Sequence, residues 1–338
     1  VNVLVIGHSF AAPAIQRTAQ LQRFASTLPG HKPYENRRPI RVEGRFAGLT
    51  VVEFLRQRFP YMAIERWCEV IDAGHMLWEG REIVAKDRMV SGGTTLIHVL
   101  PETTEPWVNA AIEVLFEDDQ VLVLAKPAPM PMHPCGRFSR HTLTYLLENA
   151  LPDIRPQIVH RLDADTTGAV IFGKTVDATR HLAAAFAKGK ARKLYLACVD
   201  GGRESPSYLR CEQAIGRRSA VAGTRGVDDE GLASVTHLFR RKFVGERQTL
   251  FEVQPENGRT HQIRLHLAQL GHPIVGDHAY AGKMGENAAL TGAPLCLHAW
   301  ILEIPHPDGR MMHIRAPWPK WAKEADPAAQ PEPVAPGW

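Results

Sequence analysis

No apolar run in this chain approaches the length of a membrane-spanning helix, so none is expected. Its five cysteines, Cys68, Cys135, Cys198, Cys211 and Cys296, are odd in number, scattered, and form no C-x-x-C pair. Disulfides and a cysteine-based zinc site are therefore not expected. H-E-x-x-H is missing as well. His261, His266, His272 and His278 tempt a metal reading, but their spacing does not place them on one helical face, and no metal is expected. Neither a Walker loop nor a G-x-G-x-x-G is present, which argues against a nucleotide cofactor. The segment Val1–Gly7 has no basic stretch of the signal-peptide kind, so the expected location is cytoplasmic.

What is present describes an ordinary globular protein. Hydrophobic residues make up 44% and charged residues 22%, enough apolar content for a sizeable core in 338 residues. That length suits one large domain plus a small one. The net charge of +4 is mildly basic and compatible with an RNA partner. Basic clusters occur at Lys188–Lys193, Arg217-Arg218 and Arg240–Lys242, and the first leads directly into a strand. A solvated surface is the ordinary reading of each.

The organisation changes along the chain. Residues 1–35 show no clear periodicity and read as an extension, and residues 36–50 as an extended lead-in. From 36 to 100 two short helices, around Val51–Phe59 and Ile64–Ala73, precede a hairpin around Met76–Val84 and a strand at Thr95–Val99. Basic and acidic residues nearly balance in this segment. Residues 101–106 are a Pro/Thr/Glu linker. Strands alternate with helices from 107 to 318, including a hairpin near Glu113–Leu124 and an alanine-rich helix over 176–189. A flexible insertion is expected at Thr224–Glu230, and a disordered Pro/Ala-rich tail over 319–338. This pattern gives an α+β fold.

Three segments carry the chemistry. In His160-Arg161-Leu162-Asp163-Ala164-Asp165-Thr166-Thr167-Gly168 a carboxylate follows an arginine between two apolar runs, and Gly168 is free to turn. Arg192–Val199 alternates like a half-buried strand, with Lys193, Tyr195 and Ala197 on one face. Asn257-Gly258-Arg259-Thr260-His261-Gln262-Ile263-Arg264 turns out of a strand into a helix, with Thr260 as N-cap and Gly271 as stop. Taken singly, these are an acidic turn, an edge aromatic and a surface arginine.

Together they resemble the RluA family of pseudouridine synthases. Its catalytic H-R-L-D-x-x-T-S-G differs here only at Thr167, which keeps the hydroxyl. K-x-Y-x-A is matched at Lys193–Ala197 and G-R-T-H-Q-I-R-x-H at Gly258–His266. Lys126-Pro127, His133-Pro134 and Gly271–Asp277 fit as well, so the resemblance spans about Glu113 to Arg315. It implies a long, mostly antiparallel, bent mixed sheet with the active cleft across its middle. The segment 36–100 is similar to the RNA-binding domain named from ribosomal protein S-four, without its usual Ser-Arg near the second helix.

The implied reaction breaks the uracil–ribose bond of a uridine in RNA, turns the base, and rejoins it through carbon. It is redox-neutral and needs no cofactor. The resemblance makes Asp163 the nucleophile, Arg264 its paired cation, and Tyr195 the platform for a flipped-out base. Attack on sugar, attack on base, and action as a base all remain open for Asp163; the Tyr195 hydroxyl is a second candidate for proton transfer. Further substrate-binding candidates are Arg161, His160, Lys193, Ile263, Leu162 and Arg259. Arg161 suits a phosphate or a salt bridge; His160 suits a satisfied core position, and Leu162 and Ile263 suit a pocket wall or the core. A monomer acting on ribosomal or transfer RNA is expected. The rivals are a nucleosidase, which pairs two carboxylates, and an RNA-binding module without catalysis.

Overall fold

The structure, a computed structural model, describes residues 3–6, 12–26, 28, 32–202, 204–216, 224–282, 293–326 and 332–337. They divide into two compact units, one of Pro29–Pro106 and one of the remainder. The larger opens with β1 (Val3–Ile6) and α1 (Ala12–Ala25).

The smaller unit holds β2 (Tyr34–Arg41), α2 (Val51–Arg58), α3 (Ile64–Asp72), β3 (Met76–Trp78), β4 (Glu82–Ile83) and β5 (Thr95–Thr103). Thr50 starts α2 through a capping box: its side chain accepts the Glu53 N–H, and the Glu53 carboxylate accepts the Thr50 N–H at 2.9 Å. Val51, Phe54 and Leu55 then form the buried stripe, matched by Trp67 and Ile71 on α3. Both helices bury these residues with Met76 and Leu96 of a sheet ordered β2-β5-β3-β4. Two expected boundaries move. Tyr34–Arg41 is a full sheet strand whose pairing reaches Tyr34↔Thr103, and Glu105 is buried. The unit thus begins ahead of residue 36 and takes in the linker.

The larger unit continues with β6 (Glu113–Glu117), β7 (Val121–Lys126), α4 (Leu143–Ala150), β8 (Gln157–Ile158), β9 (Thr167–Gly173), α5 (Val176–Ala187), β10 (Arg192–Asp200) and β11 (Tyr208–Cys211). There follow β12 (Ile215–Gly216), β13 (Gly226–Val227), β14 (Thr236–Val244), β15 (Gln248–Pro255), α6 (Gln262–Gln269), β16 (Leu297–Pro305), β17 (Met311–Arg315) and α7 (Lys320–Ala325). Eleven strands form one sheet along the path β11-β14-β15-β10-β16-β9-β7-β6, with β17 on β16, β1 on β17 and β8 on β9. Among the described residues only β9–β16 and β1–β17 are parallel, so the sheet is mixed and mostly antiparallel, within an α+β fold. Both faces are covered. Leu122, Leu124, Val170 and Phe172 bury one face in the core shared with α1 and α4. Val121, Val123, Ala169 and Ile171 bury the other with Leu182 of α5. Two-sided burial explains why β7 and β9 read as continuous apolar runs rather than alternating ones.

Four expectations about this unit are corrected. The first 28 residues are part of it: β1 pairs with β17 from Val3↔Met311 to Ile6↔Ile314, and Leu21 of α1 is fully buried. Arg17 holds Glu117 through two hydrogen bonds, and the Thr18 hydroxyl accepts the Val114 N–H. The segment expected to be a disordered tail contains α7, and the Glu252 carboxylate accepts the N–H groups of Val334 and Ala335. Buried hydrogen-bond acceptors anchor backbone that composition alone marked as loose. Within Thr224–Glu230, β13 pairs with β12, and the Asp228 N–H donates to the Ala214 carbonyl. Finally, Arg241 is a buried partner of Glu252 and Asp326, not a solvated charge. The Arg217-Arg218 cluster lies outside the described residues.

Candidate active site

The loop between β8 and β9 is held at its two ends and at Ala164. Its far end is fixed by close backbone approach. Gly168 has φ +120, and a Cβ there would sit 2.2 Å from the Ala299 carbonyl oxygen on parallel β16. Glycine is required by both conditions. Thr167 Oγ1 meets His298 Nδ1 at 2.8 Å, so the hydroxyl retained at this position is used. At the near end His160 stacks on Phe186, and its Nε2 accepts the Ile171 N–H. Burial, with Lys193 nearby, pushes His160 down to about 3. Its hydrogen bonding is that of a neutral structural residue, although one edge lines the cavity described below.

Lys126, at the end of β7, fixes the middle of the loop. Its buried ammonium donates to the carbonyls of Pro127, Met130 and Ala164, each at 2.9 Å. Three acceptors match three N–H donors. Burial draws this group down to about 7, opposed by Asp165 and Asp163. The sequence offered Lys126 only as part of a two-residue match, without a role. Leu162 points into the core, whereas Arg161 is exposed and forms no ion pair among the described residues.

The second wall is α6, buried around most of its circumference: Gln262, Ile263, Arg264, Leu265, His266 and Leu267 are all buried. Its N-cap is His261, in a left-handed conformation with φ +58, one residue beyond the expected Thr260. Polar side chains on so buried a helix need partners. Gln262 donates to the Val235 carbonyl and Thr236 hydroxyl and accepts the Arg259 N–H. Arg264 makes a bidentate pair with Asp277, Nε to Oδ2 and Nη2 to Oδ1, both 2.8 Å. Its Nη1 stands 3.7 Å from Asp163 Oδ2. Asp163 is therefore the second anion of Arg264, whose paired carboxylate is Asp277 and not Asp163 as the resemblance implied. Burial works against both charges of the Arg264–Asp277 pair. Their mutual hydrogen bonds outweigh it, holding Arg264 up and Asp277 down.

Tyr195 comes from β10, where the register with β16 shifts between Leu194 and Tyr195. Such an irregularity redirects a side chain. Burial, reinforced by Asp163, pushes the Tyr195 phenol well above its ordinary value, so it stays protonated at neutral pH. Lys193, on the same face, donates to the Asn257 carbonyl at 3.2 Å, and burial lowers its pKa. One cavity of about 360 Å³ brings Asp163, Tyr195, Lys193, Arg259, Ile263 and Arg264 together. His160, Arg161 and Leu162 also line it, so every candidate from the three segments reaches one site. The residues missed were Asp277, Lys126, His261 and Tyr280. Each sits in or beside a quoted motif, but only the fold reveals its partner. Among the described residues no three His, Cys, Asp or Glu side chains gather as metal ligands, and no helix is long and apolar enough to cross a membrane.

A single carboxylate beside an arginine, facing a protonated phenol across a nucleotide-sized space, suits chemistry on a flat polar base. Comparison with known proteins agrees. The family described as RNA pseudouridylate synthase matches residues 120–269. An uncharacterized RNA pseudouridine synthase of Synechocystis is 33% identical over 288 residues, covering 80% of this chain and 86% of that protein. Ribosomal large subunit pseudouridine synthase D of Nitrosomonas europaea is 32% identical over 319 residues, covering 87% and 88%. Among solved structures, human RNA pseudouridylate synthase domain containing 1 matches with a TM-score of 0.53 at 27% identity, over 62% of this chain and 84% of that one. The chain belongs to the RluA family of RNA pseudouridine synthases and is an enzyme that isomerises uridine in RNA to pseudouridine.

Proposed function

We propose that this enzyme modifies uridines of large-subunit ribosomal RNA, with Asp163 as the nucleophile acting on a flipped-out nucleotide. The observation carrying this reading is the placement of Asp163: a half-buried carboxylate in the cavity, with Arg264 at 3.7 Å and the Tyr195 ring lining the same space. Arg264 keeps a positive charge beside the carboxylate throughout the reaction, because its other face is already neutralised by Asp277. Tyr195 supplies a stacking face for the detached base, an interaction worth roughly 1–3 kcal/mol. Lys193, Arg259 and the exposed Arg161 line the same cavity and supply positive charge for RNA phosphates. The ribosomal target is supported by relatives such as the Nitrosomonas europaea enzyme, whose name specifies the large ribosomal subunit.

The smaller unit, Pro29–Pro106, is read as an S-four-like RNA-binding domain. Its support is the order of two helices and a hairpin over one sheet. With its charges nearly balanced, it serves target choice more than bulk affinity. The enzyme works as a cytoplasmic monomer in this reading. Mapping pseudouridines in the RNA of a deletion strain against its parent tests the target. Loss of sites in large-subunit RNA is expected, restored by the parent gene and not by Asp163→Asn. Loss confined to transfer RNA would redirect the assignment.

A further inference from the structure

The two oxygens of Asp163 face different neighbours. Oδ2 faces Arg264 Nη1, and Oδ1 faces His261 Nε2 at 3.9 Å. His261 is the N-cap of the helix that carries Arg264, so one buried element addresses both oxygens. Its left-handed backbone is costly for a residue with a Cβ, and such conformations persist where surrounding contacts enforce them.

The enforcing contact is Tyr280. Its hydroxyl lies 2.7 Å from His261 Nδ1 and accepts the Arg225 backbone N–H at 2.7 Å. The two rings meet edge to face, 5.6 Å apart. Tyr280 is itself fixed: its N–H donates to Asp277 Oδ1, and Arg264 lies over its ring at 5.2 Å. Two proton arrangements fit the Tyr280–His261 bond. If Nδ1 carried the proton, neutral His261 would turn a bare Nε2 lone pair toward a carboxylate. If the phenol donates to Nδ1, the proton resides on Nε2 and points at Asp163 Oδ1. Only the second gives Asp163 a donor.

We propose that Tyr280 and His261 form a positioning relay that presents the His261 Nε2–H to Asp163 Oδ1, opposite Arg264 at Oδ2, and so fixes the plane of the carboxylate. The proposal rests on Asp163 being the acting group. The 3.7 and 3.9 Å separations both exceed hydrogen-bond length, and closing them is a movement of about 1 Å, of the kind that accompanies substrate binding. The charged and titratable groups facing His261 are Asp163, Arg264, Asp277, Arg225 and Tyr280. Burial favours the neutral ring, with Asp163 pulling the other way, and burial also keeps the Tyr280 phenol protonated. The relay is therefore set at neutral pH without any proton being transferred. Because the Arg225 N–H precedes β13, the relay also ties the β12–β13 hairpin to the catalytic carboxylate.

The test uses the full chain with transcribed large-subunit RNA. Nitrogen-15 spectra of labelled histidine, with His261 assigned by its loss in His261→Gln, should show the Nε2–H tautomer. Tyr280→Phe should lower the single-turnover rate about tenfold while RNA affinity stays within about twofold. His261→Gln, whose amide N–H reaches the Nε2 position, should retain more rate than His261→Ala. An Nδ1–H tautomer, an unchanged rate in Tyr280→Phe, or a loss residing wholly in affinity would overturn the relay. Should Tyr280→Phe not fold, the two His261 variants decide, and equal defects overturn it. Asp163→Asn in the same assay separates the levels. Turnover there removes the underlying reading, whereas an inactive Asp163→Asn beside a fully active Tyr280→Phe removes the relay alone.

Discussion

Arg264 gives its bidentate face to Asp277 and only its remaining nitrogen to Asp163, so the cation of the active site is held by a carboxylate that takes no part in the reaction as proposed. The division has a physical reason. An arginine saturated by Asp163 would tie up the oxygens that must act in the proposed reaction. One anchored elsewhere supplies field and orientation while leaving them accessible. Asp277 also accepts the N–H groups of Ala279 and Tyr280, so it organises the turn as well as the charge.

Breaking that anchor should damage fold and activity together. Asp277→Ala leaves the buried Arg264 without its partner, which costs about 3–5 kcal/mol in comparable cases. Urea unfolding should show a loss of this order and little residual turnover. The double variant Asp277→Ala, Arg264→Leu should regain part of the stability, since no charge is left unpaired, yet stay inactive. A double variant no more stable than Asp277→Ala would show that the turn, rather than the charge, sets the cost.

Asp163→Asn should abolish isomerisation with little change in melting temperature. The Asp163 carboxylate is only partly exposed, in the cavity, and its nearest charged neighbour is Arg264 at 3.7 Å, beyond hydrogen-bond length, so folding depends on this carboxylate little. Asp165→Asn should be mild, because Asp165 does not line the cavity. Pseudouridine formation is read by carbodiimide mapping of the product RNA. Substantial turnover by Asp163→Asn would sink the assignment of the nucleophile.

The residues that touch the cavity were legible because each lies in a short segment whose local pattern is distinctive. Asp163, Tyr195 and Arg264 come from three such segments, and the sheet brings them together. What was illegible depends on long-range pairing. Nothing in Val3–Ile6 announces a parallel partner at Met311–Ile314. Nor does the sequence say whether Arg264 prefers Asp163 or Asp277, since both are carboxylates in matching motifs. His261 was weighed only as a metal ligand; its role follows from a tyrosine nineteen residues on that shares its hydrogen bond. The tail misled because Pro/Ala-rich composition measures missing apolar anchors and ignores backbone donors that a buried glutamate can accept.

Tyr195→Phe should retain more activity than Tyr195→Ala. The phenol is buried and held protonated, which suits a ring used as a surface. Phe keeps that surface, while Ala loses a stack of roughly 1–3 kcal/mol, or about one to two decades in rate if the contact tightens in the transition state. Single-turnover rates with separately measured RNA affinity distinguish the two. Equal, severe defects would make Tyr195 an acid–base residue instead.

Acid should destabilise this protein through its buried neutral histidines, two of which flank the loop that carries Asp163. Burial lowers both His160 and His298 to about 3, against an ordinary value of 6.5. The sign follows from proton uptake. Below about pH 6.5 the unfolded chain binds a proton at each position and the folded chain does not. Stability is thus full above 6.5 and falls as the pH drops toward 3. The slope approaches about 1.4 kcal/mol per pH unit for each group. His298→Asn removes one titrating ring and keeps a polar atom near Thr167 Oγ1. It should be less stable than the parent at pH 7.5, because a buried ring is lost, yet lose less stability between pH 6.5 and 4. Urea midpoints across that range give the two slopes, and parallel curves would show that His298 does not contribute to the acid sensitivity.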